Sequence, residues 1–337
     1  MRWLTHSKLN EVVDRLRGKI IVTPTVWAEL PSLQRLYPNT QFFFKMEHWQ
    51  KSGTFKFRGA LNRLLTEEPR PRGVTAASAG NHAIAVALAA RELGLPAHLA
   101  MQNSANPMRV RLVRETGARV KLCDGGTATF DCANKIAQEE GFVFIHPFDG
   151  SQITQATATI AAEMIDQADG LDAIFTSIGG GGLSGGIAAG GKLINSNILI
   201  AGVEPVGAAV MLKSFEENKA ETLEKVSTIA DSLGPPMTTT YCYEINRALL
   251  DHIVCVTDDD ICLAMAIIAS ELRLAVEPAS AAALAALLVH AEKFVPLLEG
   301  RRVGVVMCGS NIDASSYARH LARGIEQQAQ LEGKASA

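Results

Sequence analysis

The chain has 337 residues, 47% of them hydrophobic and 20% charged, with a formal net charge of −3. That apolar content supports a large buried core and excludes a disordered chain. No cluster of Lys and Arg occurs, which argues against nucleic acid as the main partner, because phosphate neutralisation needs clustered cations. No membrane span is predicted, since no uncharged apolar run of about 18 residues occurs.

In chain order, short apolar runs predict strands at 42–46, 74–77, 97–101, 119–122, 143–145, 173–178, 198–203, 253–256 and 303–308. Between most of them lie helical patterns, such as 81–93, 107–116, 127–140, 153–168 and 259–275. This alternation predicts an α/β fold with mostly parallel sheets and helices on both faces. Residues 72–146 hold enough strands and helices for a small domain of their own. Residues 1–71 and 147–325 are expected to form a larger one, and 326–337 a polar, frayed tail. No linker rich in Pro, Gly or Ser separates the halves, so an extensive interface between them is expected. Residues 1–10 lack the apolar stretch of a signal peptide, so a cytoplasmic location is the expectation. The cysteines show no CxxC spacing and the histidines no HExxH pair, so no structural zinc site is read.

Four segments carry chemistry. In Ser52-Gly53-Thr54-Phe55-Lys56-Phe57-Arg58-Gly59-Ala60, one lysine lies between two phenylalanines ahead of a helical pattern. An amine in an apolar surround loses its proton more readily and can condense with a carbonyl. The plain alternative is a surface lysine at a helix start. In Gly179-Gly180-Gly181-Gly182-Leu183-Ser184-Gly185-Gly186, glycines follow a strand and precede a helix. Converging N–H groups there make an anion cradle, most often for phosphate. The same run satisfies GxGxxG through Gly180, Gly182 and Gly185, with Glu204 about 20 residues on, so a nicotinamide-binding oxidoreductase is a rival. A P-loop fits worse, because Leu193 stands where Ser or Thr must hold magnesium.

Ser78-Ala79-Gly80-Asn81-His82 follows the strand at 74–77. Small residues and an Asn at a strand end suit a carboxylate-binding loop, and Ser78 or Asn81 can equally cap the next helix. His82 reads as structural. Cys308-Gly309-Ser310-Asn311 ends a strand. There a thiol is either a small buried hydrophobe or a neutral hydrogen-bonding group facing a cleft.

Together these segments resemble the pyridoxal-phosphate enzymes of fold type II (tryptophan-synthase-β-like), within the serine/threonine dehydratase and serine racemase group. The resemblance runs from about Leu9 to about Arg323. It implies two open, mostly parallel sheets flanked by helices, with the cofactor at the domain interface. Lys56 would be the catalytic, cofactor-linking lysine and then the base at the substrate's Cα. Phe55 would pack beside the pyridine ring, and Asn81 would bond its hydroxyl oxygen. Residues Gly179, Gly180, Gly181, Gly182 and Leu183 would hold the phosphate. Cys308 would face the pyridine nitrogen, and Glu277 would line the pocket. Ser78, Ala79, Gly80, Asn81 and His82 would form the substrate loop. The implied activity is that of an ammonia-lyase, turning a 3-hydroxy amino acid into a 2-oxo acid and ammonia. A racemase or β-replacement enzyme of the same fold is the alternative, and a homodimer is the implied assembly.

The chain departs from the family pattern at four places. Ala79 stands where serine racemases place a second base serine, which disfavours racemisation. Some relatives bind a divalent cation through an acidic pair; Glu204 is present, but Val210 lies at the second carboxylate. Ala156-Thr157-Ala158-Thr159 replaces a Gly-Gln-Gly-Thr segment expected at a helix start near the pocket. The segment from Asp231 to Met237 departs from the usual Ala-Asp-Gly loop. The last two departures shift the expected substrate from plain threonine towards a less usual 3-hydroxy amino acid.

Overall fold

The computed structural model describes residues 2–335. Among them run eleven strands: β1 (Thr25–Trp27), β2 (Gln41–Lys45), β3 (Val74–Thr75), β4 (Ala77–Ser78), β5 (His98–Gln102), β6 (Arg119–Cys123), β7 (Val143–Phe144), β8 (Ala173–Ser177), β9 (Leu199–Pro205), β10 (His252–Val256) and β11 (Arg302–Val306). The large sheet has the order β1-β2-β11-β8-β9-β10. Only its edge pair, β1 with β2, is antiparallel. Helices cover both faces, so its central strands are apolar throughout: every residue of β8 is buried.

Strand β4 pairs with β5 and β5 with β6, while β3 pairs with β7. β3 and β4 are one run interrupted at Ala76, and a parallel bridge from Val74 to Ala97 joins the two ladders. The result is a single four-stranded parallel sheet, the second of the two expected. The predicted strand at 74–77 is thus two short pieces. β1 has no counterpart among the predicted strands, because three residues with Val26 and Trp27 exposed carry no burial pattern.

Two large cores follow. One lies around the large sheet and the helix Pro278–Val289. The other surrounds the small sheet, and it also takes in Val12, Leu16, Phe57 and Leu61 from before residue 72. The helix carrying Lys56 is therefore packed against the small sheet's helices as well as the large body. Helix Ser151–Gln167 lies against helix Gly182–Ile194 at very short range. A Cβ on Gly190 would fall 2.5 Å from Ala158 O, and one on Gly186 would meet Thr157 Oγ1. Ala156–Thr159 thus sits inside this helix, not at its start, and serves close helix packing.

Two further expectations change. The predicted helix 259–275 ends at Ile267 and passes into a π-turn, Ile268–Leu272, closed by Arg273 in the left-handed region. The segment expected as a frayed tail is helical as far as Ala335; residues 336 and 337 lie outside the described residues. No single helix among the described residues is long and apolar enough to cross a membrane.

Candidate active site

Lys56 opens the helix Lys56–Leu65. The residues before it are stitched to the segment after β11. Thr54 and Gly309 form an antiparallel bridge. Phe55 N–H donates to Cys308 O at 3.1 Å, Ser310 N–H to Gly53 O at 3.0 Å, and Asn311 Nδ2 to Ser52 O at 2.8 Å. Gly53 has φ of +73°, and a Cβ there would lie 2.5 Å from Asn311 Oδ1, so conformation and space both require glycine. Two motifs about 250 residues apart are thereby fused, which places Lys56 beside Cys308 in one cleft. The ammonium donates to Pro147 O at 2.7 Å and sits 5.2 Å from the Phe55 ring centre. Burial pushes its pKa down to about 8.

The glycine loop forms the facing wall of the cleft. Gly181 has φ of +97° and is the N-cap of helix Gly182–Ile194, with no side chain capping it. Among the described residues, no backbone or side-chain acceptor meets the N–H groups of residues 180–183. Four free donors at a helix N-terminus are a receptor for an anion. The loop cannot carry larger residues: a Cβ on Gly180 would fall 2.4 Å from the Phe148 ring, and one on Gly182 2.5 Å from Phe148 O.

Glu277 and Asn81 close another side. Asn81 Nδ2 donates to the two Glu277 oxygens at 2.8 and 2.9 Å and to Ser232 Oγ at 3.0 Å, while its Oδ1 accepts from Asn311 Nδ2 at 2.9 Å. Burial raises the Glu277 carboxyl above its ordinary range, against the pull of Arg109. Arg109 lies 3.6 Å from Glu277 and 2.5 Å from Asp231. Cys308 is buried, and burial pushes its thiol up to about 12, so it is neutral. Its Sγ is 3.5 Å from Ser280 Oγ, whose proton goes to Gly309 O at 2.6 Å.

Phe55, Lys56, Asn81, Gly179, Gly180, Gly181, Gly182, Leu183, Glu277 and Cys308 all line this one cleft. Ser78, Ala79, Gly80 and His82 are not among its lining residues. Ser78 Oγ accepts from Gly80 N–H at 3.0 Å, and helix Asn81–Glu92 starts without a side-chain cap, so neither Ser78 nor Asn81 caps it. Gly80 gives room to Arg109, whose Cδ would lie 2.5 Å from an added Cβ. His82 is buried, with Nε2 2.8 Å from Ile145 O and its pKa driven down to about 3 by burial. Those contacts are structural ones.

Sequence reasoning missed Pro147, Phe148, Ser177 and Ser232, which also line the cleft. Only Ser232 had a signal, in the departing loop at 231–237. Glu204 does not reach the cleft. Its two oxygens accept from Met211 and Leu212 N–H at 2.8 Å each, and burial raises its pKa to about 8. It therefore cannot hold a ribose at the glycine loop, which removes the nicotinamide reading. Among the described residues no group of three metal-ligating side chains occurs.

A family model described as pyridoxal-phosphate dependent enzyme matches residues 17–309. The chain belongs to this family. This pyridoxal-phosphate enzyme is 45% identical to a phenylserine dehydratase of Ralstonia pickettii over 85% of its length and 88% of the relative's. It is 31% identical to an L-threo-3-hydroxyaspartate ammonia-lyase of Saccharomyces cerevisiae, over 93% and 95%. Maize serine racemase matches its fold with a TM-score of 0.88 at 30% identity, covering 97% of this chain and 99% of that one. The residues present fit the cofactor. The free N–H groups of the glycine loop suit its phosphate, the partly desolvated amine of Lys56 suits its carbonyl, and the neutral Cys308 suits a ring nitrogen.

Proposed function

We propose that Lys56 is the residue that links pyridoxal phosphate and then takes the substrate's Cα proton at Nζ. The enzyme is a pyridoxal-phosphate-dependent dehydratase of hydroxy amino acids, a carbon–nitrogen lyase. The observation that carries the residue assignment is the Lys56 amine, held against Pro147 O between free loop donors and a neutral thiol. When bound, pyridoxal phosphate supplies the electron sink that acidifies the Cα proton.

The chain's own residues do the rest. The N–H groups of residues 180–183 hold the phosphate, and Leu183 and Phe55 are apolar flanks. Asn81, oriented by Glu277, Ser232 and Asn311, would turn an Nδ2 proton from Glu277 or Ser232 to a ring oxygen. Cys308 offers a neutral hydrogen bond to the ring nitrogen and cannot balance a full positive charge there. That favours prompt loss of the β-hydroxyl over longer-lived charge delocalisation. The backbone of the loop that ends in Asn81 receives the substrate carboxylate, while Ser78 Oγ and His82 hold that loop in shape through Gly80 N–H and Ile145 O. The Cα–H and Cβ–O bonds break, the Cα proton goes to Lys56 Nζ and from there to the departing hydroxide, so that water leaves and Lys56 ends as it began. Hydrolysis of the released enamine gives the 2-oxo acid and ammonia.

Similarity to a phenylserine dehydratase makes 3-phenylserine the first candidate substrate. Ala79 offers no hydroxyl for a second base, so elimination is expected without racemisation. The proposal includes a small domain at 72–146, a homodimer and a cytoplasmic location. The test is a panel of serine, threonine, 3-hydroxyaspartate and 3-phenylserine, assayed for 2-oxo acid and for inverted amino acid. Absence of 2-oxo acid from every member sinks the proposal. Inversion as fast as elimination replaces it with a racemase.

A further inference from the structure

Residues 179–182 have no side chains to hold them, and glycine backbone is freer than any other. Three consecutive carbonyls of this loop are instead held from outside. Thr238 Oγ1 donates to Gly180 O at 3.0 Å, Asn246 Nδ2 to Gly181 O at 2.9 Å and Thr157 Oγ1 to Gly182 O at 2.8 Å. All three side chains are buried. Thr157 comes from helix Ser151–Gln167, Asn246 from helix Thr240–Leu249, and Thr238 from the segment just before that helix.

Each donor is itself placed by its surroundings. Asn246 Nδ2 also donates to Cys242 O at 2.7 Å, and its Oδ1 accepts from Ser184 Oγ at 2.6 Å, which sets the orientation of the amide. Thr238 N–H donates to Glu221 O at 3.3 Å, beside an antiparallel bridge between Thr222 and Met237. The single proton of Thr157 Oγ1 has Gly182 O as its nearest acceptor, with Thr154 O and Ile153 O farther away at 3.1 and 3.3 Å.

A trans peptide unit is planar, so its C=O and the next residue's N–H point in opposite directions. Drawing the carbonyls of residues 180, 181 and 182 back into the protein therefore turns the N–H groups of residues 181, 182 and 183 forward. Those are three of the four loop donors that no acceptor among the described residues meets. At Gly181 O the first helical bond, from Gly185 N–H at 3.0 Å, shares the task. Gly180 O lies before the helix, and Thr238 holds it.

We propose that Thr238, Asn246 and Thr157 are positioning residues for the cofactor's phosphate, acting through the loop whose N–H groups they aim. None of the three lines the cleft. The proposal rests on the reading that the loop holds that phosphate, and it names what makes a flexible run of glycines into a fixed receptor.

The full-length chain freed of cofactor tests it, with pyridoxal 5'-phosphate and pyridoxal as probes. Both carry the aldehyde, and only the first carries the phosphate. The readout is the ratio of their dissociation constants, measured beside the urea midpoint of each variant. Thr238→Val and Thr157→Val keep the side chain's shape and remove its proton. Each is expected to lower the preference for the phosphate ester about fivefold, the contribution of one hydrogen bond. Thr238→Ser and Thr157→Ser keep the hydroxyl and are expected to retain the preference within about twofold. A purely structural role would lower the urea midpoint and weaken both probes alike. An unchanged ratio in Thr238→Val, or a serine variant that loses as much as its valine counterpart, overturns the proposal while the loop keeps its phosphate role. A parent chain that binds the two probes equally overturns both. Thr238 lies outside the close helix pair, so its variants decide the matter if Thr157→Val does not fold.

Discussion

Lys56 combines a helix-start position with an apolar surround and a backbone acceptor at 2.7 Å. In its proposed role, replacing it with Ala removes both the cofactor link and the base. The release of 2-oxo acid is expected to fall at least about 10³-fold, because general-base catalysis alone contributes that order. In cofactor-free protein the amine, at about 8, is expected to acylate along a curve centred some two units below that of an exposed lysine. A midpoint near 10.4 would show that the amine is solvated. Cys308 is buried and neutral. Cys308→Ser keeps a neutral hydrogen-bonding group and is expected to retain activity within about tenfold. Cys308→Asp adds a charge to an apolar floor near Glu277, and dehydration should fall far more; equal rates in both variants would count against the ring-nitrogen role. Lys56 and Cys308 were legible because each sits in a distinctive local run. Phe148 was not, because Pro147-Phe148-Asp149-Gly150 reads as a turn and its contact with Gly180 is made across the fold.

Between elements, one contact ties the two sheets across the cleft. Arg109, on helix Pro107–Glu115, bonds Asp231 on the loop before helix Thr240–Leu249 and approaches Glu277 at the start of helix Pro278–Val289. Asn106 adds a bond to Asp313 at 2.6 Å. Removing a buried guanidinium leaves Glu277 buried without its cation, which costs about 2–3 kcal/mol once the exposure of Asp231 is discounted. Arg109→Ala is therefore expected to lower stability by about that much in urea unfolding, and to raise KM more than it lowers kcat. A change below about 0.5 kcal/mol would mean the contact is idle. Periodicity showed the helices themselves, since strand–helix alternation is written in local apolar spacing. It did not show this bridge, because Arg109 and Asp231 lie on segments that meet only when the sheets face each other. Likewise Ala156–Thr159 read as a departure at a helix start that bears on the substrate. In the fold it is the face on which Gly186 and Gly190 pack.

Across the whole molecule, a buried ion cluster holds the Lys56 helix to the large sheet. Arg58 and Glu47 are wholly buried and paired at 2.7 Å, and Arg58 also meets Glu163, which pairs with Lys45 at 2.6 Å. Burial alone would raise the Glu47 carboxyl, but the charges of Arg58 and Lys45 outweigh it and hold it below its ordinary range. A carboxyl depressed by folding contributes stability that is present above its unfolded pKa, about 4.3, and is lost as pH falls through the folded value. The urea midpoint is thus expected to fall steeply below about pH 4. Glu47→Gln should lower stability at pH 7 by about 3 kcal/mol and flatten that acid fall. An unchanged acid profile would remove the cluster as its cause.

The sequence by itself determined the α/β class and the family, and it singled out Lys56, the glycine run at 179–186 and Cys308 as candidates that the fold brings into one cleft. Each is carried by adjacent residues whose chemistry or spacing works within a few positions of chain. Tertiary structure alone decided that Glu204 turns away from the cleft to Met211 and Leu212. It also set the contacts of Ser78 with Gly80 N–H and of His82 with Ile145 O, and it brought the rings of Phe148, His146 and Phe130 together. Such contacts depend on how distant segments converge, and burial and hydrogen bonding at the meeting point settle each role.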